Sequence, residues 1–525
     1  MEKINGRKLS LIFIFILILL VIALLVGKFT YSYLGPTISD DLETQGEVTA
    51  SGDTLIFTKG NNLSLSATTD NFTTGGTNLT STTNPKVKLV ASTKTNQADA
   101  TYYVGVLIKN NTYVYTTSGN TPEVILTIKD EKGNNVSSGV DGLTYVTSGG
   151  VSGFDVTGKK GLFNIKTDYP ISTTSSSAGT THTWTFTLTF VNLGTDQSEN
   201  ENASMDLDIY LQKTKVPSTL ADVCTSGVNL ADCIVTLNDK STSSVSNIYY
   251  HDSTLANGAG DNSYRYAGAS DSVNNYICLG SDAATCPTDN LYRIIGVIND
   301  KVKLIKYDYA TSTLLGTDGD YSGSDTPDTN YYKGSLTSIN TYYWNDATAT
   351  NIWSESLLNK TNLNTNFINN IGSPWANKIA TTTWKVGGNT LDNIVYSVPS
   401  VAYQNEIVSP SENTTYDAKI GLVYASDYGF AASPSAWTTT LYNYDGNDAT
   451  GTSIKTINWM YMGYDDWTIS RDSDTSDYAF FVDDDGGVSG DVVRVYSGVR
   501  PSFSLETSVT YVSGDGTQNS PIRIN

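Results

Sequence analysis

The segment Thr183-Trp184-Thr185-Phe186-Thr187-Leu188-Thr189-Phe190 constrains the fold of this chain more than any other feature. Every second residue is large and apolar, and the residues between are threonines. A helix would scatter those four apolar side chains around its circumference. A strand puts them on one face, because successive side chains alternate sides. β-branched threonine also favours the extended backbone. The same period recurs in Met205-Asp206-Leu207-Asp208-Ile209-Tyr210-Leu211, and residues 55–57, 87–91, 102–108, 124–128 and 162–165 supply further strands. Turn-forming clusters such as Lys132-Gly133-Asn134-Asn135 and Ser148-Gly149-Gly150 separate them. About seven strands, each with one polar face, predict an all-β sandwich of immunoglobulin-like architecture over residues 46–215. The Cys-Trp-Cys hallmark is absent, so the topology stays open.

Composition narrows the function. At 525 residues, about two to four domains are expected. Lys and Arg number 32 against 53 Asp and Glu, a net charge of −21, and phosphate binding needs the opposite balance, so nucleic acid is not an expected partner. With 34 Tyr and 8 Trp but only 16% charged residues, the chain lacks the signature of intrinsic disorder. Two His and four Cys restrict the catalytic and metal sites it can build.

At the N-terminus, Lys3, Arg7 and Lys8 precede an apolar run over residues 9–27 in which only Ser10 is polar. At about 1.5 Å per residue that run reaches roughly 28 Å, the thickness of a bilayer's hydrocarbon. The basic flank predicts a cytoplasmic tail at 1–8, an uncleaved signal-anchor helix at 9–27, a stalk at 28–45 and everything beyond outside the membrane. A cleaved signal peptide is the competing reading and gives the same exterior address. The cysteines suit that address. Cys224 and Cys233 are close in sequence, as are Cys278 and Cys286, and no CxxC occurs. Four cysteines allow three pairings; the local one closes the smallest loops, and four free thiols are the alternative.

Residues 216–245 read as a linker carrying the first cysteine pair, partly ordered against the next domain. Residues 246–525 read as an α+β, loop-rich domain. Its clearest element is a hairpin, 291–298 and 301–306 joined by Asn299-Asp300. A helical stripe follows through Trp353, Leu357, Leu363, Phe367 and Ile371, then strands at 394–398, 421–424, 478–482, 492–496 and 503–505.

Two resemblances accompany these readings. The run Thr185 to Leu193, followed by Asp196-Gln197, is similar to the β-sandwiches of bacterial surface and matrix proteins of the camelysin and biofilm-fibre type. That implies assembly or display. The segments Leu291-Tyr292-Arg293-Ile294-Ile295-Gly296-Val297, Gly421-Leu422-Val423-Tyr424-Ala425-Ser426-Asp427-Tyr428-Gly429, Trp467-Thr468-Ile469-Ser470-Arg471 and Gly498-Val499-Arg500-Pro501 resemble a domain of unknown function common in surface proteins of low-GC gut bacteria. Their order is also similar to C-type-lectin-like folds, including the formylglycine-generating-enzyme branch. That branch uses a cysteine pair near its C-terminal end, and no cysteine follows Cys286, so the resemblance implies the fold without that activity. Together with the apolar run, it places the expected protein at a bacterial cell membrane, single-pass, with its C-terminal region extracellular.

Candidate site residues come from three patterns. Asp318, Asp320 and Ser322, with Gly323, begin like an EF-type calcium loop, although position 12 is Thr329 rather than Glu. Asp472 and Asp474 head a second acidic cluster, so Ca2+ is the one cofactor considered. Trp467, Arg471, Asp472 and Arg500 form the candidate ligand site, with arginine suited to a carboxylate and tryptophan to a sugar ring. No P-loop, GxGxxG, HExxH or GxSxG motif occurs, and no enzyme is expected. The expected function is a surface-displayed adhesion or ligand-binding protein for a glycan or protein. A structural envelope component that self-associates through its sandwich is the alternative, and a carboxylate-based hydrolase the remainder.

Overall fold

A computed structural model describes residues 45–50, 52–71, 75–327, 330–444 and 454–525. The chain forms two compact units, the first ending at Lys215 and the second running Val216–Asn525.

The first unit is a β-sandwich. One sheet has the order Gly161–Thr173, Ala98–Asn111, Ser204–Gln212, Leu63–Ser66. A second places Thr185–Phe190 between Leu79–Thr83 and Val124–Lys129. A third pairs Asp53–Thr58 with Lys86–Val90, and Lys86–Val90 with Thr180–Thr183. The second and third sheets run into each other at Trp184, whose N–H donates to the Pro85 carbonyl at 3.0 Å. The alternation sets the burial: Trp184, Phe186, Leu188 and Phe190 are all fully buried against Val104, Val106, Leu207 and Ile209. On the opposite face the hydroxyls of Thr82 and Thr187 meet at 3.1 Å. The sandwich differs from the immunoglobulin-like expectation. Its described strands fall into sheets of four, four and five, where that architecture has two sheets and about seven to nine strands.

Over its described residues the chain is mostly β-sheet, which corrects the expected fold class; in the second unit strands alternate with short helices, the longest α-helix described being Leu230–Lys240 with 11 residues. That helix buries Leu230, Cys233, Ile234 and Leu237 in the main core, so the segment read as a linker is an integral part of this unit. The central sheet runs Ile248–His251, Ser263–Tyr266, Leu291–Ile298, Lys301–Lys306, Ser502–Ser504. The hairpin in its middle turns on Asn299 and Asp300 with φ of 51° and 59°, the left-handed pair that a two-residue turn needs. Disulfides join Cys224 to Cys233 and Cys278 to Cys286.

Of the expected helical stripe, Leu363 and Phe367 lie buried in a π-wound helix, Leu358–Phe367, while Trp353 precedes it in a turn and Leu357 and Ile371 flank it. Its asparagines tie down irregular chain. The Asn362 amide donates to the Leu315 and Asp318 carbonyls, both at 2.9 Å, and Asn364 to the Ile420 carbonyl at 2.9 Å. Asn370, one turn on, donates to the Leu314 carbonyl at 3.0 Å.

The expectation of a membrane-spanning helix is corrected. Among the described residues no helix is long and apolar enough to cross a membrane. The expected tail at 1–8, span at 9–27 and stalk up to residue 44 lie outside the described residues, and Gln45 opens a strand. No described residue supports the single-pass placement at a bacterial cell membrane, whereas the two disulfides suit an extracellular protein.

Candidate functional site

Strand register builds the site. Arg265 stands opposite Gly296, Gly296 opposite Lys303, and Lys303 opposite Ser504, one row across four neighbouring strands. Only glycine fits between the two cations, since a Cβ at Gly296 would lie 2.0 Å from the Tyr264 carbonyl oxygen. Arg265, Lys303 and Ser504 share one face and line a cavity of about 340 Å³.

Asp427 joins the row from the first turn of the helix Ala425–Ala431. Its Oδ1 accepts from Arg265 Nη1 at 2.9 Å, and its Oδ2 from Lys303 Nζ at 2.6 Å and from the Tyr424 N–H at 3.2 Å. Burial pushes this carboxyl up, but Lys303 and Arg265 together overcome burial and hold it below the ordinary carboxylate value. Arg265 also donates through Nη2 to Asp261 and through Nε to Ser263, at 2.9 and 2.8 Å.

Aromatic rings complete the wall. The Lys303 ammonium sits 4.8 Å from the Tyr424 ring centre and 5.4 Å from that of Trp384. Arg265 lies over Tyr403 at 5.6 Å. Trp384 belongs to the short strand Thr382–Lys385 and donates its indole N–H to the Ala418 carbonyl; Tyr424 accepts from the Lys385 N–H at 2.8 Å. Thr381 to Thr383, Lys301, Lys385 and Ile407 close the rim. Beside this wall Glu406 is buried, with no cation on it among the described residues. It accepts from the Ser426 N–H and the Ser470 hydroxyl, and burial pushes its carboxyl up to about 7. His251 is also buried; burial first, and Arg265 second, push it down to about 3.

The residues expected from sequence to bind ligand lie elsewhere, and none lines this cavity. Trp467 is core, its indole N–H on the Tyr342 carbonyl at 3.0 Å. Arg500 is buried against Asp466 at 2.7 Å. Arg471 holds Glu412 at 2.7 Å and the Val386 carbonyl at 3.1 Å. Asp472 caps its own loop, accepting from the Asp474 N–H at 2.9 Å and from Thr475 at 3.2 Å.

The calcium candidates are similarly occupied. Asp318 accepts from Asn366 at 2.6 Å, and Asp320 from the N–H groups of Asp346 and Leu358 at 3.0 and 2.7 Å. Ser322 lies in the strand Tyr321–Asp325 and donates to Thr341 at 2.8 Å, while Thr329 falls outside the described residues. Among the described residues, the carboxylate oxygens that do come together are those of Asp465, Asp483 and Asp484, within 4.8 Å of one another.

Sequence reasoning missed Arg265, Lys303 and Asp427. One signal was present: Lys301, Lys303 and Lys306 crowd a six-residue strand in an acidic chain. The chain matches no family model, no curated protein and no solved structure at a significant level. The resemblances to surface-protein and lectin-like families therefore rest on their short motifs alone.

Proposed function

We propose that this is an extracellular adhesion or ligand-binding protein whose second unit makes the specific contact through the cavity at Lys303. The observation that carries the reading is the cavity itself: rings, hydroxyls and fixed charges converge on a volume in the range of small-ligand sites. Its lining offers a single carboxylate, Asp427, already held by two cations, which gives carboxylate-based hydrolysis no free pair to use. The two disulfides fit an oxidising exterior. A glycan array and whole-cell binding with the full chain test the reading. Binding above control that falls at least tenfold in a folded Tyr403→Ala variant supports it, and no binding in either assay rejects it.

The first unit favours a second reading, self-association. Its strand Gly161–Thr173 pairs with Ala98–Asn111 alone among the described residues, leaving its other side as a sheet edge in two stretches, either side of the register shifts between Asn164 and Tyr169. Such an edge accepts another strand. A concentration series in analytical ultracentrifugation decides; a monomer at every concentration disposes of assembly.

A further inference from the structure

The ligand class follows from which charges around the cavity are already spent; the inference rests on the cavity being the contact site. Four cationic side chains, Arg265, Lys301, Lys303 and Lys385, line it against one carboxylate, Asp427. Arg265 is engaged at Nε, Nη1 and Nη2 by Ser263, Asp427 and Asp261. Lys303 shares Asp427 with it. Two cations therefore meet two carboxylates, and the inner group is closed.

Lys301 and Lys385 are left over. Both are half-buried on the rim. The Lys385 ammonium meets a neutral partner, the Asn413 side-chain oxygen at 3.2 Å, and Lys301 has no carboxylate partner among the described residues. On a chain of net charge −21, this is a local surplus of positive charge beside a low-dielectric wall. A neutral ligand would leave that surplus unused. An anion would be drawn to it.

The ring and the size of the cavity define the rest of the ligand. Tyr403, half-buried on the lining, presents a ring of the kind on which a sugar's C–H face packs, backed by the buried Trp384 and Tyr424. The cavity, at about 340 Å³, suits a small ligand unit rather than a length of polymer. We infer that the cavity takes a single sugar residue bearing a carboxylate, with the carboxylate at Lys301 and Lys385 and the ring against Tyr403.

Calorimetric titration of the full chain with galacturonate and with its neutral twin galactose tests this. Galacturonate is expected to bind at least tenfold more tightly, with the preference weakening at high salt. A Lys301→Gln/Lys385→Gln variant, or Lys385→Gln alone should the double variant misfold, is expected to reduce the preference at least threefold. Equal binding of the two sugars, or an unchanged preference in the variant, overturns the anion inference while leaving the cavity as the contact site. Stronger binding of a short peptide through its free terminal carboxylate assigns the charge to a protein ligand and overturns the sugar. No binding of galacturonate while the array finds a Tyr403-dependent ligand also overturns it. A blank array removes the underlying reading instead.

Discussion

Lys303 and Asp427, 124 residues apart in sequence, meet at 2.6 Å in the interior of the second unit. Burying an ion pair costs desolvation that its attraction only partly returns, so the pair is a poor source of stability. Breaking one side is a different matter. Asp427→Asn leaves Lys303 and Arg265 facing each other with one counter-charge fewer. The expected cost is about 3–5 kcal/mol. Tryptophan fluorescence reads it, because seven of the eight tryptophans belong to this unit and Trp184 alone to the first.

Glu406 makes the same unit sensitive to pH. Its folded pKa of about 7 lies above the ordinary 4.5, so the folded state holds a proton that the unfolded chain releases earlier. Its stabilisation is complete below about 4.5 and is lost as pH rises through 7. Glu406→Gln keeps an acceptor for the Ser426 N–H and gains a donor for Ser470. Chemical denaturation across pH 4–8 is expected to show a fall in stability toward pH 8 that is smaller in the variant; identical profiles would refute this.

In the first unit, Tyr102 is the acceptor that lets a tryptophan be buried. Its hydroxyl takes the Trp184 indole N–H at 2.8 Å and pairs with His182 Nδ1 at 3.0 Å. Tyr102→Phe strands a buried donor and is expected to cost about 1–3 kcal/mol. With Trp184→Phe the donor is gone as well. The double variant is expected to be about 1 kcal/mol more stable than the two single losses predict when summed.

The cysteines give a chemical check. Native protein is expected to show no reactive thiol, and four after reduction and unfolding. Replacing Cys278 and Cys286 together by Ser opens a loop of separation 8, with an expected loss of about 2–3 kcal/mol in the second unit's unfolding free energy, read by chemical denaturation.

The strands and hairpin were legible because their signals are local. Thr183 to Phe190 alternates without a break, and Asn299-Asp300 is a two-residue turn by composition. Residues 394–398 show where local signals mislead. They read as a strand, yet Thr390 caps the helix Leu391–Ile394 through Asn393, and Pro399 opens the next helix. End-chemistry outweighed apolar alternation there. The site was illegible for another reason. Arg265, Gly296, Lys303 and Ser504 become a row only through the register of four strands distant in sequence, and Asp427 arrives from a helix outside that sheet. The arginines that looked functional, Arg471 and Arg500, instead hold loops through Glu412 and Asp466.

The asparagines of Leu358–Phe367 leave one lasting mark on how this protein behaves. They brace distant loops with uncharged amides where other proteins use ion pairs, and an amide neither titrates nor gathers counterions. Those particular anchors hold through swings of salinity and acidity to which the ion pairs and Glu406 of the same unit respond.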